Sequence, residues 1–279
     1  MLMTTGEAAE LSAQRVDARA RLVAGYSSGR TRLARLYQDG AAKIRMPAVA
    51  GDPLEAILIN TAGGLTGGDR VAWEIEAGAG ASVAVTTQAC EKVYRTRSGR
   101  AEVSASLSVA EGARIAWLPQ ETIVYDRSAF ARRLDVDLAA GAQALVVEAT
   151  IFGRLAMGER VRQAMFRDRW RVRQGGRLVH GEDFAIGPDL EAALARPAVT
   201  GGAIAIATVL LVSPDAETLL PQVREIIGGE GGASAWNVAG SGKLLARLFA
   251  GDGYLLRKRL VPLVGLLNGQ AGLPKVWSL

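Results

Sequence analysis

Apolar and polar residues alternate strictly along several segments of this chain, which restricts it to a β-rich fold. From Ala101 to Val109 every second residue is apolar, and glutamate or serine stands between. The same pattern recurs from Val71 to Ala77 and from Leu134 to Leu138. A period of two places alternate side chains on opposite faces of an extended strand. Each of these segments is therefore predicted to be a strand with one buried face.

Glycines separate the predicted strands at short intervals typical of an all-β sandwich, barrel or solenoid. Residue-level repeats of fixed period are absent from the sequence, so it does not choose among these architectures. Helical patterns come late, from Ser213 with Pro214 to Gly228, and from about Gly253 to Asn268. We predict a mainly β fold of many short strands in a solenoid-like or sandwich-like single domain, with a few C-terminal helices. That domain spans residues 18–279, after a flexible N-terminal tail of residues 1–17.

Composition excludes several classes of protein. Lys and Arg number 33 against 28 Asp and Glu, a net charge of +5 that suits acidic protein surfaces. Aromatic residues make up only 5% of the chain, which gives little support to a nucleic-acid-binding module that stacks bases. Cys90 is the single cysteine, so no internal disulfide can form. The longest apolar run, Ala203 to Val212, is about half of the roughly 20 residues that a spanning helix needs. With no secretory signal at the N-terminus, we expect a soluble, cytoplasmic protein.

A glycine-rich segment, AGGLTGGD, lies between two predicted strands. Its glycines are Gly63, Gly64, Gly67 and Gly68. Glycine is usually kept where the backbone needs positive φ or where another group approaches closely, so we predict a shaped loop. The strand that follows ends in polar residues, among them Glu91 and Lys92. This end is either the solvated tip of an ordinary hairpin or a polar surface or channel mouth.

Five sequence fragments occur in order along the chain: AGGLTGGDRV, TTQACEKVYRT, WLPQETIVYD, FGRLAMGE and LPKVW. In order and approximate spacing they resemble the urease accessory protein UreD, also called UreH, over nearly the whole chain from about Arg19. The resemblance implies a non-enzymatic scaffold that helps deliver nickel to the urease active site. It implies partners as well: UreF, the GTPase UreG and urease apoprotein, with a dimer of the accessory complex left open. It also implies a mainly β, partly helical-solenoid fold with an internal passage for the ion.

Carried over from the resemblance, Asp69, Lys92, Glu148 and Glu159 are candidates for the passage or its gating, and the glycine loop is a second gating element. No permanently bound cofactor is expected, because oxygen ligands suit a transient nickel(II) ion. Glu148 lies within the apolar run ALVVEATIF, where a carboxylate must be paired, protonated or lining a wet cavity. Asp69 has the alternative of capping a turn. A rival hypothesis is a β-rich hydrolase or lyase with Glu148 and Glu159 as acid and base.

Basic residues alternate along one later strand, at Arg167, Arg169, Arg171 and Arg173. This strand is predicted to form a hairpin whose basic face is either solvated or a docking surface. His180, the single histidine, has no nucleophile elbow to accompany it, so a Ser-His-Asp hydrolase is not supported. The segment GSGK that ends at Lys243 lacks the rest of a phosphate-binding loop, so nucleotide hydrolysis would belong to UreG. The sequence leaves the roles of His180 and Cys90 open.

Overall fold

The computed structural model describes residues 15–47, 51–238 and 240–277. Most of the predicted tail, residues 1–14, lies outside the described residues, and the first strand begins at Asp17. None of the described helices is long and apolar enough to cross a membrane.

Strands make up most of the described chain, and the mainly β prediction is confirmed. The strands are β1 (Asp17–Ser27), β2 (Arg30–Asp39), β3 (Ala42–Arg45), β4 (Leu54–Asn60), β5 (Arg70–Ala77), β6 (Ser82–Thr87), β7 (Glu91–Val93), β8 (Ala101–Val109), β9 (Arg114–Leu118), β10 (Thr122–Val124), β11 (Ser128–Leu138), β12 (Gln143–Phe152), β13 (Ala164–Gln174), β14 (Arg177–Ile186), β15 (Ala205–Val212), β16 (Gly231–Val238) and β17 (Ser241–Ala250). The helices are α1 (Leu190–Leu194), α2 (Leu220–Ile227) and α3 (Gly253–Asn268), with 3-10 turns at Leu155–Met157, Gly269–Ala271 and Lys275–Trp277.

The middle of the chain is a solenoid whose successive turns alternate between two sheets. Sheet A has the order β14-β13-β11-β8-β5-β1-β2, and sheet B has the order β16-β17-β15-β12-β9-β6-β4-β3. Strands β5, β8, β11 and β13 pair in parallel in sheet A, as β4, β6, β9 and β12 do in sheet B. Each turn of the chain therefore adds one parallel strand to each sheet.

The register explains why no fixed repeat is visible in the sequence. In sheet A, Arg70 of β5 lies opposite Glu102 of β8, and Glu102 lies opposite Ala131 of β11. These successive partners are separated by unequal lengths of chain. A solenoid needs equivalent strand positions but not connections of equal length, so its period is lost at the residue level.

Two apolar cores hold three layers together. The first lies between sheets A and B and includes Leu22, Ile115 and Trp170. The second lies between sheet B and the late helices and includes Val147 and Leu260. Sheet B is thus buried on both faces, which is why β12 and β15 read as nearly continuous apolar runs. Sheet A has an outer face that carries charged residues.

Helix α3 begins and ends where its sequence predicts. The Asp252 side chain accepts a hydrogen bond from the backbone N–H of Leu255 at 2.8 Å, which caps the N-terminus, and Gly269 follows the last residue. The predicted helix start at Ser213 is wrong. Residues 213–219 form turns, and α2 begins at Leu220, where Pro221 occupies the first turn. Both prolines suit a first turn, so the local signal alone does not choose between them.

Candidate functional site

The glycine loop is fixed to the neighbouring strand β7 by backbone hydrogen bonds. The N–H of Leu65 donates to the carbonyl of Lys92 at 2.7 Å, and the N–H of Tyr94 donates to the carbonyl of Leu65 at 2.7 Å. Leu65 is fully buried, whereas the side chain of Lys92 is exposed. Lys92 thus holds the loop through its backbone and leaves its ammonium group in solvent.

Two of the loop glycines are required by close packing. A Cβ atom at Gly67 would lie 2.1 Å from both the carbonyl oxygen of Ser98 and the hydroxyl of Thr96. A Cβ atom at Gly64, where φ is +151°, would lie 2.3 Å from the ring of Tyr94. The prediction that this backbone is shaped by close approach is confirmed at these two positions.

Asp69 closes the base of the loop. Its carboxylate accepts hydrogen bonds from the backbone N–H groups of Val16 at 2.9 Å and Thr66 at 2.7 Å. The residue is buried, with 4% of its surface exposed. Of the alternatives that the sequence left open for Asp69, these contacts are those of a turn cap.

Glu91 is a polar group beside this loop that the sequence analysis did not select as a site residue. The amide of Asn60 donates to both of its carboxylate oxygens at 3.2 Å. Burial raises the pKa of Glu91 to about 7. Both residues line a cavity of about 160 Å³ together with Lys92 and Cys90. Because Asn60 ends one strand and Glu91 begins another, only the fold brings the two together.

Cys90 contacts a second buried carboxylate. The thiol of Cys90 lies 3.4 Å from Oε2 of Glu121. Both oxygens of the Glu121 carboxylate also accept hydrogen bonds from Arg257 at 3.0 Å. Burial raises the pKa of the Cys90 thiol to about 12, and the charge of Glu121 adds to the effect. Cys90 therefore stays a thiol at neutral pH, and it is a poor thiolate ligand for a metal ion.

A buried ion cluster lies between the two sheets, where apolar residues surround it. Arg132 on β11 forms salt bridges with Glu148 on β12 and Asp168 on β13, and all three side chains are at least nine-tenths buried. The indole N–H of Trp117 donates to Glu148 Oε1 at 2.8 Å, and Trp170 donates to Asp168 Oδ1 at 2.9 Å. Of the alternatives that the sequence left open for Glu148, the structure shows pairing.

One guanidinium faces two carboxylates in this cluster. Burial raises the pKa of Glu148, and the charge of Asp168 raises it further, although Arg132 acts in the opposite direction. The two carboxylates in turn raise the pKa of Arg132, which remains a cation. The Nε atom of Arg132 has no hydrogen-bond partner among the described residues. The carboxylates can therefore take up one more proton, and Arg132 Nε can donate to one more acceptor.

The cluster lines a cavity of about 100 Å³ between the sheets. Glu182 on β14 and Arg247 on β17 also line it and form a salt bridge with each other. The Glu182 side chain is 11% exposed and that of Arg247 is 51% exposed. The cavity thus runs from the fully buried Arg132 cluster toward a partly exposed ion pair.

Glu159 holds a different loop. Its carboxylate accepts hydrogen bonds from Arg154 Nε at 2.7 Å and from the N–H of Asp126 at 3.4 Å. The guanidinium of Arg154 lies 4.1 Å from the ring centroid of Tyr125. These contacts close the loop that contains the Leu155–Met157 turn and leave Met157 73% exposed.

The structure does not gather Asp69, Glu148 and Glu159 into one site, since each has its own separate set of partners. Across residues 15–47, 51–238 and 240–277, no three His, Cys, Asp or Glu side chains are grouped so as to hold a metal ion. Glu159 does not line the cavity that contains Glu148. The hydrolase or lyase hypothesis, which needs these two carboxylates around one substrate, therefore lacks its geometric basis.

Comparison with known proteins decides the family. Residues 16–278 match the family model described as UreD urease accessory protein. The chain is also 69% identical over 280 residues to Urease accessory protein UreD of Mesorhizobium japonicum, with 99% of this chain and 100% of that relative covered. This chain belongs to the UreD family of urease accessory proteins. Two proteins named Urease accessory protein UreD 1 are similar to it: that of Brucella anthropi is 58% identical over 282 residues, with 100% of both chains covered. That of Brucella abortus is 59% identical over 269 residues, with 96% of each covered.

Two of the fragments that carried the UreD resemblance meet in the fold. Gln120 from WLPQE donates to the carbonyl of Val276 in LPKVW at 3.1 Å. The indole N–H of Trp277 donates to the carbonyl of Leu118 at 3.0 Å. Arg257 of α3 donates to the carbonyl of Trp277 at 3.0 Å and also binds Glu121. The two fragments therefore form a single structural unit beside Cys90.

The basic strand of this UreD-family chain is β13, and its four arginines alternate with buried residues as predicted. Their contacts differ from one end of the strand to the other. Arg167 forms a bidentate salt bridge with Asp183, with donor–acceptor distances of 3.0 and 2.8 Å. Arg173 lies 4.0 Å from Asp137. Arg171 donates to the carbonyls of Trp170 and Glu182. Arg169 forms no salt bridge within the described chain, although Asp183 lies opposite it on β14.

His180 is buried on β14 beside Trp170, and its ring nitrogen Nε2 has no hydrogen-bond partner among the described residues. Burial lowers the pKa of His180 to about 4, and the charges of Lys243, Arg247 and Arg171 act in the same direction. Glu182 lies 3.9 Å from Nε2, but Arg247 already neutralises its charge.

We expect the His180 imidazole to stay neutral down to about pH 4 because it is desolvated among cations. An NMR titration of the imidazole carbons measures this directly, since the chain has one histidine. The Arg247→Gln variant serves as a comparison in which the freed Glu182 carboxylate should raise the pKa of His180. A wild-type midpoint at or above 6.5 would mean that Glu182 controls the titration instead.

Proposed function

We propose that this chain is a non-enzymatic scaffold and nickel-transfer component of urease activation. In this proposal it acts in the cytoplasm, in a complex with UreF and the GTPase UreG on urease apoprotein. Membership of the UreD family supports the accessory role. The nickel ion is cargo here, held briefly and passed on.

The observation that carries the nickel-transfer part is the buried Arg132–Glu148–Asp168 cluster and its cavity of about 100 Å³. Carboxylate oxygens bind divalent cations reversibly, which suits passage better than storage. Buried ions cost several kcal/mol each in desolvation, so such a cluster is weak evidence for a purely stabilising role. Arg132 supplies a built-in positive charge that balances the carboxylates while no other cation is present.

We assign Glu148 to the passage, with Glu182 at its more exposed end. A divalent ion that reaches Glu148 must compete with Arg132 for the same oxygens, which keeps the hold on the ion weak. The role of Asp69 and Glu159 in this proposal is to stabilise the loops that contain them. Backbone N–H groups and Arg154 already engage their oxygens.

The Glu148→Gln substitution tests this proposal. It keeps the size of the side chain and an acceptor for Trp117, but it removes the negative charge that a nickel ion needs. Because the pKa of Glu148 is raised, a neutral group at this position is compatible with the fold. We expect nickel per urease, measured by mass spectrometry after co-expression with the accessory proteins, to fall roughly tenfold, in the range seen when groups around metal ions are altered.

Glu217→Gln is the matched control, because Glu217 is exposed and does not line the cavity. It should leave the nickel content unchanged. Co-purification with UreF should persist in both variants. Wild-type nickel content in Glu148→Gln would refute the passage, and full urease activation in cells that lack this chain would refute the accessory role altogether.

A further inference from the structure

A basic cleft of about 910 Å³ crosses the outer face of sheet A, and its size lies at the upper end of ligand-binding clefts. Its floor is made of small side chains, including Ala72 of β5 and Ser104 of β8. Exposed arginines from five different parts of the chain line it: Arg19, Arg70, Arg100, Arg133, Arg167 and Arg169.

The strand register places part of this lining in one row across the sheet. Arg19 lies opposite Ala72, Ala72 opposite Ser104, Ser104 opposite Arg133, and Arg133 opposite Arg169. Cations therefore stand on both sides of a floor of small residues. Neither Arg19 nor Arg169 forms a salt bridge within the described chain, although the register places Asp39 opposite Arg19 and Asp183 opposite Arg169. Arg133 pairs with Asp135 in the next row.

The opposite end of the same face is balanced by its own ion pairs. There Arg21 lies between Glu74 and Glu76, and Arg173 lies beside Asp137. Toward the amino ends of the parallel strands, Arg70 and Arg100 share Glu102, and Arg167 pairs with Asp183. The exposed arginines of the cleft still outnumber the carboxylates that line it, so cations are in excess at this end. This asymmetry separates the cleft from an ordinary solvated face, on which charges of both signs are mixed.

We propose that this cleft binds an acidic, extended segment of a partner protein. The guanidinium fork matches a carboxylate with two parallel hydrogen bonds. Five strands about 4.8 Å apart give a row of about 19 Å, the length of roughly six extended residues. Nucleic acid fits less well, because none of the described residues that line the cleft is aromatic, which leaves bases without a stacking surface. The proposal refines the docking part of the proposed function and rests on it, but it does not require nickel transfer.

Fluorescence anisotropy with a labelled peptide of about eight residues, alternating glutamate and glycine, tests the cleft. The cleft variant is Arg133→Glu with Arg169→Glu. Each exposed ion pair contributes modestly, so two reversals should weaken binding about tenfold. The control is Arg177→Glu with Arg196→Glu, two exposed arginines outside the cleft that give the same change in net charge. The control should bind the peptide within about twofold of wild type, since only net charge has changed.

Three results would overturn the proposal: no binding of the peptide to the wild-type chain, equal losses in the cleft and control variants, or tighter binding of an oligothymidylate of matched charge. Thermal unfolding of both variants checks that they remain folded. The assay contains neither nickel nor urease, so its failure leaves the Glu148 passage untouched. Conversely, loss of the passage would leave the peptide result standing.

Discussion

Replacing Arg132 with leucine is expected to lower the free energy of unfolding by about 3–5 kcal/mol, because it leaves two carboxylates buried without their cation. Arg132 bridges Glu148 and Asp168 between the sheets, where water does not replace the lost charge. Urea denaturation at neutral pH measures the effect as a shift in the transition midpoint. The loss should begin to shrink at a pH above the ordinary carboxyl range, because burial raises the pKa of Glu148 and the unpaired group takes up a proton there.

Arg133→Leu is the matched control for this experiment. Arg133 is the next residue on the same strand, but its side chain is exposed and pairs with Asp135 on the surface. Its loss should change stability by about 0.5 kcal/mol or less. A triple variant, Arg132→Leu with Glu148→Gln and Asp168→Asn, should recover most of the stability, because it also removes the two buried carboxylate charges that Arg132 neutralised. If Arg132→Leu and Arg133→Leu had equal midpoints, the buried cluster would not be an energetic unit.

Replacing Trp277 with alanine is expected to cost about 3–5 kcal/mol, as for other buried aromatic residues. Trp277 is 3% exposed, donates to the carbonyl of Leu118 and lies 5.6 Å from the guanidinium of Arg257. Its removal would open a cavity and loosen the Arg257 contacts that neutralise Glu121. The midpoint of urea denaturation measures this effect too.

Trp236→Ala is the corresponding control, because Trp236 lies on the edge strand β16, is 38% exposed and stacks on Lys243. Lys243 itself is buried, so loss of this cation–π contact should cost about 2 kcal/mol, less than the loss expected at Trp277. A Trp277→Ala variant as stable as Trp236→Ala would show that the C-terminal segment contributes little to the fold.

Local patterns in the sequence predicted those parts of the fold that depend on neighbouring residues. The strands predicted from Val71 to Ala77 and from Ala101 to Val109 correspond to β5 and β8. The helical pattern from about Gly253 to Asn268 is α3, which has its own cap at Asp252. Alternation predicted which face of β13 is buried, because that periodicity belongs to the strand itself. Helix α1 was missed, since five residues are too few to establish a helical period.

The candidate site was predicted less completely, because its contacts join distant parts of the chain. The apolar neighbours of Glu148 left three alternatives open, of which the structure shows pairing. Its partners Arg132 and Asp168 come from other strands and carry no local signal. Glu91 and Asn60 were missed for the same reason. The resemblance to UreD indicated which fragments matter, and the parallel register then determined which side chains meet.

The alternation of the solenoid between two sheets also affects how the molecule assembles. Each parallel strand must find a partner that lies a full turn away in sequence, as Arg70 does with Glu102. Closing such long loops costs chain entropy before the strand pairing can stabilise the chain, so folding is expected to be slow. Until the next turn is in place, the most recently formed strands present unpaired edges that favour aggregation. We therefore expect such a chain to aggregate less when proteins that cover its unpaired strand edges are present during its synthesis.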